Sequence, residues 1–432
     1  MFDSVRNRAF SRNGRLVRRL VQSCKELLSE RGESSGASHA TSTLELYAEL
    51  DAAGQAQFFD ALLAEFSPDP AVVLDAAQAY AAEPSAAHLE RVAIASEPPR
   101  QELLRRLNRA TGGTRTILHM RERLLALIPE HRELEAVDWD FRHLLGSWFN
   151  PGFLQTVRVD WRTPAFVLEQ IIEHDAVHAI RGWDDLRRRL DSDRRCFAFF
   201  HPALPDEPLV FVEVALTDAM PAAVQPLLDL AKTSRDPAKA TTAVFYSINN
   251  CQPGLRGVSL GTFLIKSVVD MLSREFPRLK SFCTLSPIPG FARWLAAQLQ
   301  ERDKMPMKIA AALDAVSALP RSASAFAVDV EHAAAQLRPY EPALVALCAT
   351  YLLQHGPASE ATLDPVARFH LYNGARLERI DFLADTSKKG VRESLGLMVN
   401  YTYDPDTITA NHDKFVRGEV VASRKVRNAA LA

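Results

Sequence analysis

The chain has few cysteines and none in a paired spacing. Cys24, Cys196, Cys251, Cys283 and Cys348 make an odd number with no CxxC among them. That excludes a zinc ribbon and predicts free thiols in a reducing compartment. Long apolar runs are missing as well. No stretch approaches the length of a membrane span and the start has no hydrophobic signal core, which predicts a soluble protein with no membrane partner. An excess of one charge sign is also absent. A net charge of -2 leaves no global basic field for a nucleic-acid backbone, so nucleic acid is not an expected partner. What is present is apolar bulk. At 47% hydrophobic over 432 residues, the chain exceeds what one core spans and predicts two domains.

The opening "MFDSVRNRAFSRNGRLVRRLVQSCKELL" sets arginines around an apolar face, as an organelle transit peptide does. Asp3, Glu26 and Glu30 weigh against that reading, and a basic first helix of a bacterial protein is preferred, with the cytoplasm as the expected compartment. The polar "ERGESSGASHATS" reads as a flexible joint, with residues 1–38 as basic helix and joint. Ser42 and Glu45 then have capping-box spacing ahead of "LELYAELDAAGQAQFFDALLAEF", whose Leu44, Leu46, Tyr47 and Leu50 recur at helical intervals. Helical patterns continue through "SPDPAVVLDAAQAYAA", "RQELLRRLNRATGG" and "TRTILHMRERLLALIPEH", punctuated by proline and glycine. Residues 1–149 therefore read as an all-α bundle with a scaffolding or homo-oligomerising role. Its His88, His119, His131 and His143 have no ligand spacing.

From Asn150 the texture changes to β-branched and aromatic runs, "GFLQTVRVDW" and "CFAFFHPALPDEPLVFVEVALT", with helices at "PAFVLEQIIEHDAVHAI" and "WDDLRRRLDS". Residues 150–432 are expected to form a mixed sheet domain, so the chain as a whole is α+β. In "IIEHDAVHAI" the four-residue spacing of His174 and His178 would place both on one helix face. Two histidines supply only half of a tetrahedral metal shell, so packing is the preferred reading and no metal is expected.

The strand-like "TTAVFYSINN" runs into "GLRGVSLGTFLIKSVVDML", a turn with Gly254, Gly257 and Gly261 ahead of an apolar helix. Backbone N–H groups converging there, with the helix dipole behind them, suit a diphosphate. No Gly-Lys-Ser/Thr follows, and the dinucleotide fingerprint fails on spacing. "RGVSLGTFLI" resembles the (Q/R)-G-x-G-x-(G/A) loop of the GNAT acetyltransferase superfamily, with Ser259 at the middle glycine. "ARFHLYNGARL" resembles that superfamily's late helix and strand, with His370 at the place of its thiolate-protonating tyrosine. The resemblance implies a GNAT-like domain whose loop, Arg256, Gly257, Val258, Ser259, Leu260, Gly261 and Thr262, holds the diphosphate of coenzyme A.

Longer segments, "FYSINNCQPGLRGVSLGTFLIKSVVDMLSREFP", "LSPIPGFARWL", "ARFHLYNGARLERIDFLAD" and "SLGLMVNYTY", resemble the malonyl-CoA decarboxylase family. So does the order of a helical bundle before a GNAT-like domain. That resemblance implies malonyl-CoA as substrate and acetyl-CoA as product, no separate cofactor, and a catalytic set of Ser286, His370 and Tyr403. Ser259 departs from the acidic loop residue of animal relatives. On sequence alone Ser286 before Pro287 would simply terminate a strand, and Tyr403 would be core packing. The chemistry asks for a held diphosphate, hydrogen bonds to an enolate oxygen, an oriented carboxylate and a proton for the α-carbon. Ser286 suits the carboxylate and His370 the proton. A GNAT-type N-acyltransferase and a non-catalytic acyl-CoA sensor are the alternative readings, and turnover without an amine acceptor separates them.

Overall fold

A computed structural model describes residues 2–29, 36–258, 263–319, 330–353 and 364–431. The chain divides into two compact units. The first is Met1–Leu154 with two later pieces, His201–Pro205 and Gln252–Leu260, and the second is Gln155–Phe200, Asp206–Cys251 and Gly261–Ala432. No described helix is long and apolar enough to cross a membrane.

The first unit is helical: α1 (Phe2–Leu28), α2 (Gly36–Ala48), α3 (Ala52–Glu65), α4 (Pro70–Ala82), α5 (Ala86–Ser96), α6 (Pro99–Leu107), α7 (Gly113–Leu127) and α8 (Glu135–Trp148). Its core interleaves Leu20, Leu27, Phe58, Phe59, Leu103, Leu124 and Phe141, which recur at helical spacing and are all buried. Two expectations fail here. The helix does not start at Ser42, because α2 begins at Gly36 and runs through it, burying Ala40, Thr43 and Leu44. Ser42 instead donates back to Ser38 O, as an interior helix serine does. The apolar run after it is two helices. Asp51 interrupts it by accepting the N–H groups of Ala53 and Gly54, capping α3.

The second unit carries the sheet: β1 (Gln155–Val159), β2 (Arg194–Phe200), β3 (Val210–Thr217), β4 (Thr242–Asn250), β5 (Ser281–Thr284), β6 (Ser286–Pro287), β7 (Arg376–Asp381) and β8 (Met398–Tyr403). Among the described residues its order is β1-β2-β3-β4-β5-β8-β6, with β7 on β8. β1 to β4 are antiparallel neighbours, and β4 runs parallel to β5 only from Thr242↔Ser281 to Phe245↔Thr284. A register shift lies between Glu213 and Val214, whose partners are Ser247 and Phe245, so Tyr246 is the extra residue of a bulge. The helices of this unit are α9 (Ala165–His174), α10 (Trp183–Arg189), α11 (Gln225–Leu228), α12 (Phe263–Glu275), α13 (Phe291–Gln300), α14 (Met307–Val316), α15 (Val330–Leu337), α16 (Glu341–Leu353), α17 (Pro365–Tyr372), α18 (Lys388–Ser394), α19 (Ile408–Val416) and α20 (Arg424–Ala429). An α+β chain with a helical N-terminal part and a mixed sheet, in the strand, loop, helix, strand order of the GNAT-like expectation, is what the structure has.

One sheet face packs Val167, Leu168 and Ile171 of α9 and Leu186 of α10 against Cys196, Ala198 and Phe211. A polar knot is buried beside them. Asp175 Oδ1 accepts from the N–H groups of Val177 and His178, from Ser247 Oγ and from Asn249 Nδ2, while Arg189 Nη1 reaches Asp175 Oδ2 at 2.9 Å and Glu213 Oε2 at 2.7 Å. This overturns the shared helix face of His174 and His178. α9 stops at His174 because Asp175 draws the N–H groups of Val177 and His178 into a turn of its own. Among the described residues no cluster of three or more metal-ligating side chains occurs.

Gly254 is explained by packing. A Cβ there would lie 2.3 Å from Leu118 O of α7, and the Gly254 carbonyl accepts from Arg121 Nη1 at 2.6 Å, all within the helical unit. Gly254→Ala should therefore destabilise the protein by about 1–3 kcal/mol, the usual cost of overpacking, read as a lower urea midpoint. An unchanged midpoint would show that the turn relaxes freely.

Candidate active site

Period-two alternation puts Thr284 and Ser286 on one face of the sheet and Tyr401 and Tyr403 on the same face of the neighbouring strand. The antiparallel registers Phe282↔Tyr403 and Ser286↔Val399 bring the two pairs side by side. α17 covers them. Its first turn is set by Pro365 and by Asp364, whose Oδ1 accepts from Val366 N and Ala367 N. It ends at Gly374, at φ +76, with Ala375 N bonded to His370 O. His370 lies in its last turn.

The three residues singled out as catalytic meet. Ser286 Oγ and His370 Nε2 are 2.8 Å apart, and His370 Nδ1 and Tyr403 Oη are also 2.8 Å apart. The imidazole stacks on Tyr401 with ring centroids 4.6 Å apart and planes at 28°. Relative exposures of 5% for Ser286, 3% for His370 and 2% for Tyr403 close the cluster to bulk water. Both ring nitrogens face hydroxyl groups, and among the described residues no carboxylate offsets the cost of burying a charge there. Burial pushes the His370 imidazole down to about 3 and the Tyr403 phenol far up, leaving both neutral. This differs from a serine-histidine-acid triad, where the third group is an anion that stabilises imidazolium.

Thr284, Tyr401 and Asp364 escaped the sequence reading. Thr284 Oγ1 accepts from Ser286 Oγ at 2.8 Å and from the Tyr401 N–H at 3.2 Å. Asp364 Oδ2 accepts from Gly290 N at 2.9 Å, so one carboxyl ties the loop after Ser286 to the helix that carries His370. The pattern T-x-S facing Y-x-Y was the available signal for the first two. For Asp364 there was only the Asp-Pro helix start.

Of the loop residues assigned to coenzyme A, Arg256 and Gly257 are exposed, Val258 is half-buried, and Gly257 has φ +75, a conformation that suits glycine. Ser259, Leu260, Gly261 and Thr262 lie outside the described residues.

Two family profiles match the chain. Malonyl-CoA decarboxylase N-terminal domain covers residues 66–149 and malonyl-CoA decarboxylase C-terminal domain covers 152–431. The mitochondrial malonyl-CoA decarboxylase of Mus musculus is 38% identical over 334 residues, 73% of this chain and 67% of that protein. The enzyme of Anser anser anser is 35% identical over 339 residues, 74% and 67% of the two chains. Among solved structures, malonyl-CoA decarboxylase from Rhodopseudomonas palustris is similar with a TM-score of 0.85 and 48% identity, covering 95% of this chain and 99% of that one. The enzyme from Cupriavidus metallidurans gives 0.74 and 33%, with coverage of 96% and 100%.

The buried neutral histidine has a consequence for stability. Its native value of about 3 lies below the ordinary 6.5, so between those limits the unfolded chain holds a proton that the native chain lacks. His370 therefore costs the fold increasingly as pH falls from about 6.5 and costs nothing of this kind above it. His370→Gln should shrink the loss of melting temperature between pH 7.5 and pH 5, measured by thermal denaturation. Equal losses in the two proteins would contradict the buried neutral imidazole.

Proposed function

The chain belongs to the malonyl-CoA decarboxylase family and converts malonyl-CoA to acetyl-CoA and carbon dioxide; we propose that Ser286, His370 and Tyr403 carry out this reaction without a metal or a separate cofactor. The observation that carries the assignment is His370 held between two hydroxyls, with no anion paired to its ring among the described residues. A malonyl carboxylate placed at Ser286 supplies the missing negative charge, and the imidazole then takes up a solvent proton together with the substrate. The bond between the α-carbon and the carboxylate breaks, and its electron pair passes onto the thioester oxygen as an enolate. Carbon dioxide leaves. The α-carbon then takes the proton on His370 Nε2, and the one proton taken up on binding balances the one consumed.

Ser286 orients the carboxylate, and Tyr403 holds the second ring nitrogen. β4 amides past Phe245, where pairing with β5 ends, are suited to hydrogen-bond the enolate oxygen. The loop Arg256–Thr262 is assigned to the diphosphate on its resemblance to the coenzyme A loop, and the φ of +75 at Gly257 is one that suits glycine. An imidazole with a value near 3 is a weak base for an ammonium acceptor, which argues against N-acyl transfer. The expected compartment remains the cytoplasm, and nucleic acid is not an expected partner.

His370→Asn should lower turnover by about 10²- to 10⁴-fold with little change in CoA affinity, the usual worth of general acid catalysis. Ser286→Ala should slow turnover as well, and the double variant should fall by less than the product because both serve one step. Carbon dioxide release is the readout, with and without a chelator. Near-normal turnover in His370→Asn, or loss of wild-type activity to the chelator, would defeat the assignment.

The helical unit is the proposed site of homo-oligomer formation. α4 and α5 pair with each other, α5 has no buried residue and α4 only Ala76, and Val72, Leu74, Leu89 and Ile94 are exposed, Ile94 at 69%. Isolated surface aliphatic residues are ordinary, but a hairpin with four of them exposed and one buried residue is the part of this unit that a second copy would cover. Leu74→Glu with Ile94→Glu should reduce the mass measured by light scattering. A mass unchanged from an oligomeric wild type would place the interface elsewhere.

A further inference from the structure

The hydroxyls around His370 have a direction. We infer that Thr284 is a positioning residue that, acting through Ser286, holds His370 protonated on Nε2, the nitrogen facing the reaction centre. The inference rests on the decarboxylase reading above for the reaction, but its geometry stands on its own.

Thr284 Oγ1 sits at 2.8 Å from Ser286 Oγ and accepts the Ser286 proton, while its other lone pair takes the Tyr401 N–H at 3.2 Å. Ser286 has only one proton to give. With that proton directed to Thr284, Ser286 Oγ meets His370 Nε2 at 2.8 Å as an acceptor, so Nε2 must carry the hydrogen. In a neutral imidazole Nδ1 is then a bare lone pair. Its neighbour at 2.8 Å is Tyr403 Oη, a phenol that donates to it. The chain thus runs one way, from Tyr403 O–H to His370 Nδ1, from His370 Nε2–H to Ser286 Oγ, and from Ser286 O–H to Thr284 Oγ1. The Tyr401 N–H occupies one lone pair of Thr284 Oγ1 and leaves the other for the Ser286 proton. Thr284 is buried at 0% relative exposure, so bulk water does not compete for these bonds.

Two consequences follow for the reaction. The proton needed by the α-carbon is already on the nitrogen that faces Ser286, and the proton taken up with substrate has Nδ1, on the Tyr403 side, as its vacant place. The Ser286 hydroxyl, in turn, points away from His370 in the free protein, and it turns from Thr284 to hydrogen-bond the carboxylate when substrate binds. The pair is therefore set as a proton donor and not as a base-activated serine nucleophile, whose hydroxyl would have to donate to the imidazole.

The test pairs Thr284→Val, which keeps the shape and removes the acceptor, with Thr284→Ser, which keeps the hydroxyl. Thr284→Val should lower kcat by about 10-fold or more with KM within about twofold, and Thr284→Ser should recover most of it. Nitrogen NMR of histidine-labelled protein, with the His370 signals identified by their loss in His370→Gln, should show the Nε2–H tautomer in the wild type and a shift toward Nδ1–H in Thr284→Val. A wild-type Nδ1–H tautomer would overturn the inference even if Thr284→Val does not fold. So would unchanged kcat in Thr284→Val, or a Thr284→Ser defect as deep as that of Thr284→Val. Absence of carbon dioxide release from the wild type would instead sink the decarboxylase reading and leave the tautomer result standing.

Discussion

A hydrogen bond of 2.8 Å between Ser286 Oγ and His370 Nε2, groups 84 positions apart in the chain, is the contact on which the rest of the site depends. Neither residue can be displaced far without losing it. Ser286 is fixed by its register on β8, opposite Val399, and His370 by the rotation of α17 about its axis. Asp364 couples the two by accepting one N–H from the loop after Ser286 and two from the first turn of the helix. Burial pushes its carboxyl upward from the ordinary range while these three N–H groups hold it down. Loop closure between such distant groups is costly, and a single acceptor serving both segments offsets part of it.

The opposite face of the sheet solves a different problem. Cys283 and Leu285, which alternate with Thr284 and Ser286, point there and pack with Tyr246, Val244 and Met398. The bulge at Tyr246 turns both Tyr246 and Ser247 toward that side, where Ser247 joins the knot around Asp175 and Arg189. Glu213 shares Arg189 with Asp175, and burial outweighs the guanidinium, pushing the carboxyl up to about 8. The ion pairs of this knot thus lie on the face away from His370.

Much of this was legible in the sequence. Helical spacing before Phe149 and alternation after Asn150 are consequences of the 3.6- and 2-residue repeats, and the structure follows them. Ser286, His370 and Tyr403 were reached through the resemblance of their surrounding segments, since a serine before proline or a tyrosine in a strand carries no signal by itself. Boundaries were less legible. Ser42 matched a cap by spacing and is helical interior, because burial of Ala40 and Leu44 extends α2 past it. His174 and His178 matched a helix face and are not on one, because Asp175 is claimed by Ser247, Asn249 and Arg189. Gly254 looked like a phosphate-loop glycine and is required by Leu118 O.

The sequence by itself determined which elements form, because local periodicity, caps and turn residues act over a few positions. It also determined the family, because long segments retain their order. Only the tertiary structure brought a threonine two residues before Ser286 against that serine and a tyrosine two before Tyr403 against His370, and set hydroxyls beside both ring nitrogens. These depend on strand register and helix rotation, which bring together groups from residues 284, 286, 370, 401 and 403. Register is set by the summed burial of whole faces, and no local pattern encodes it.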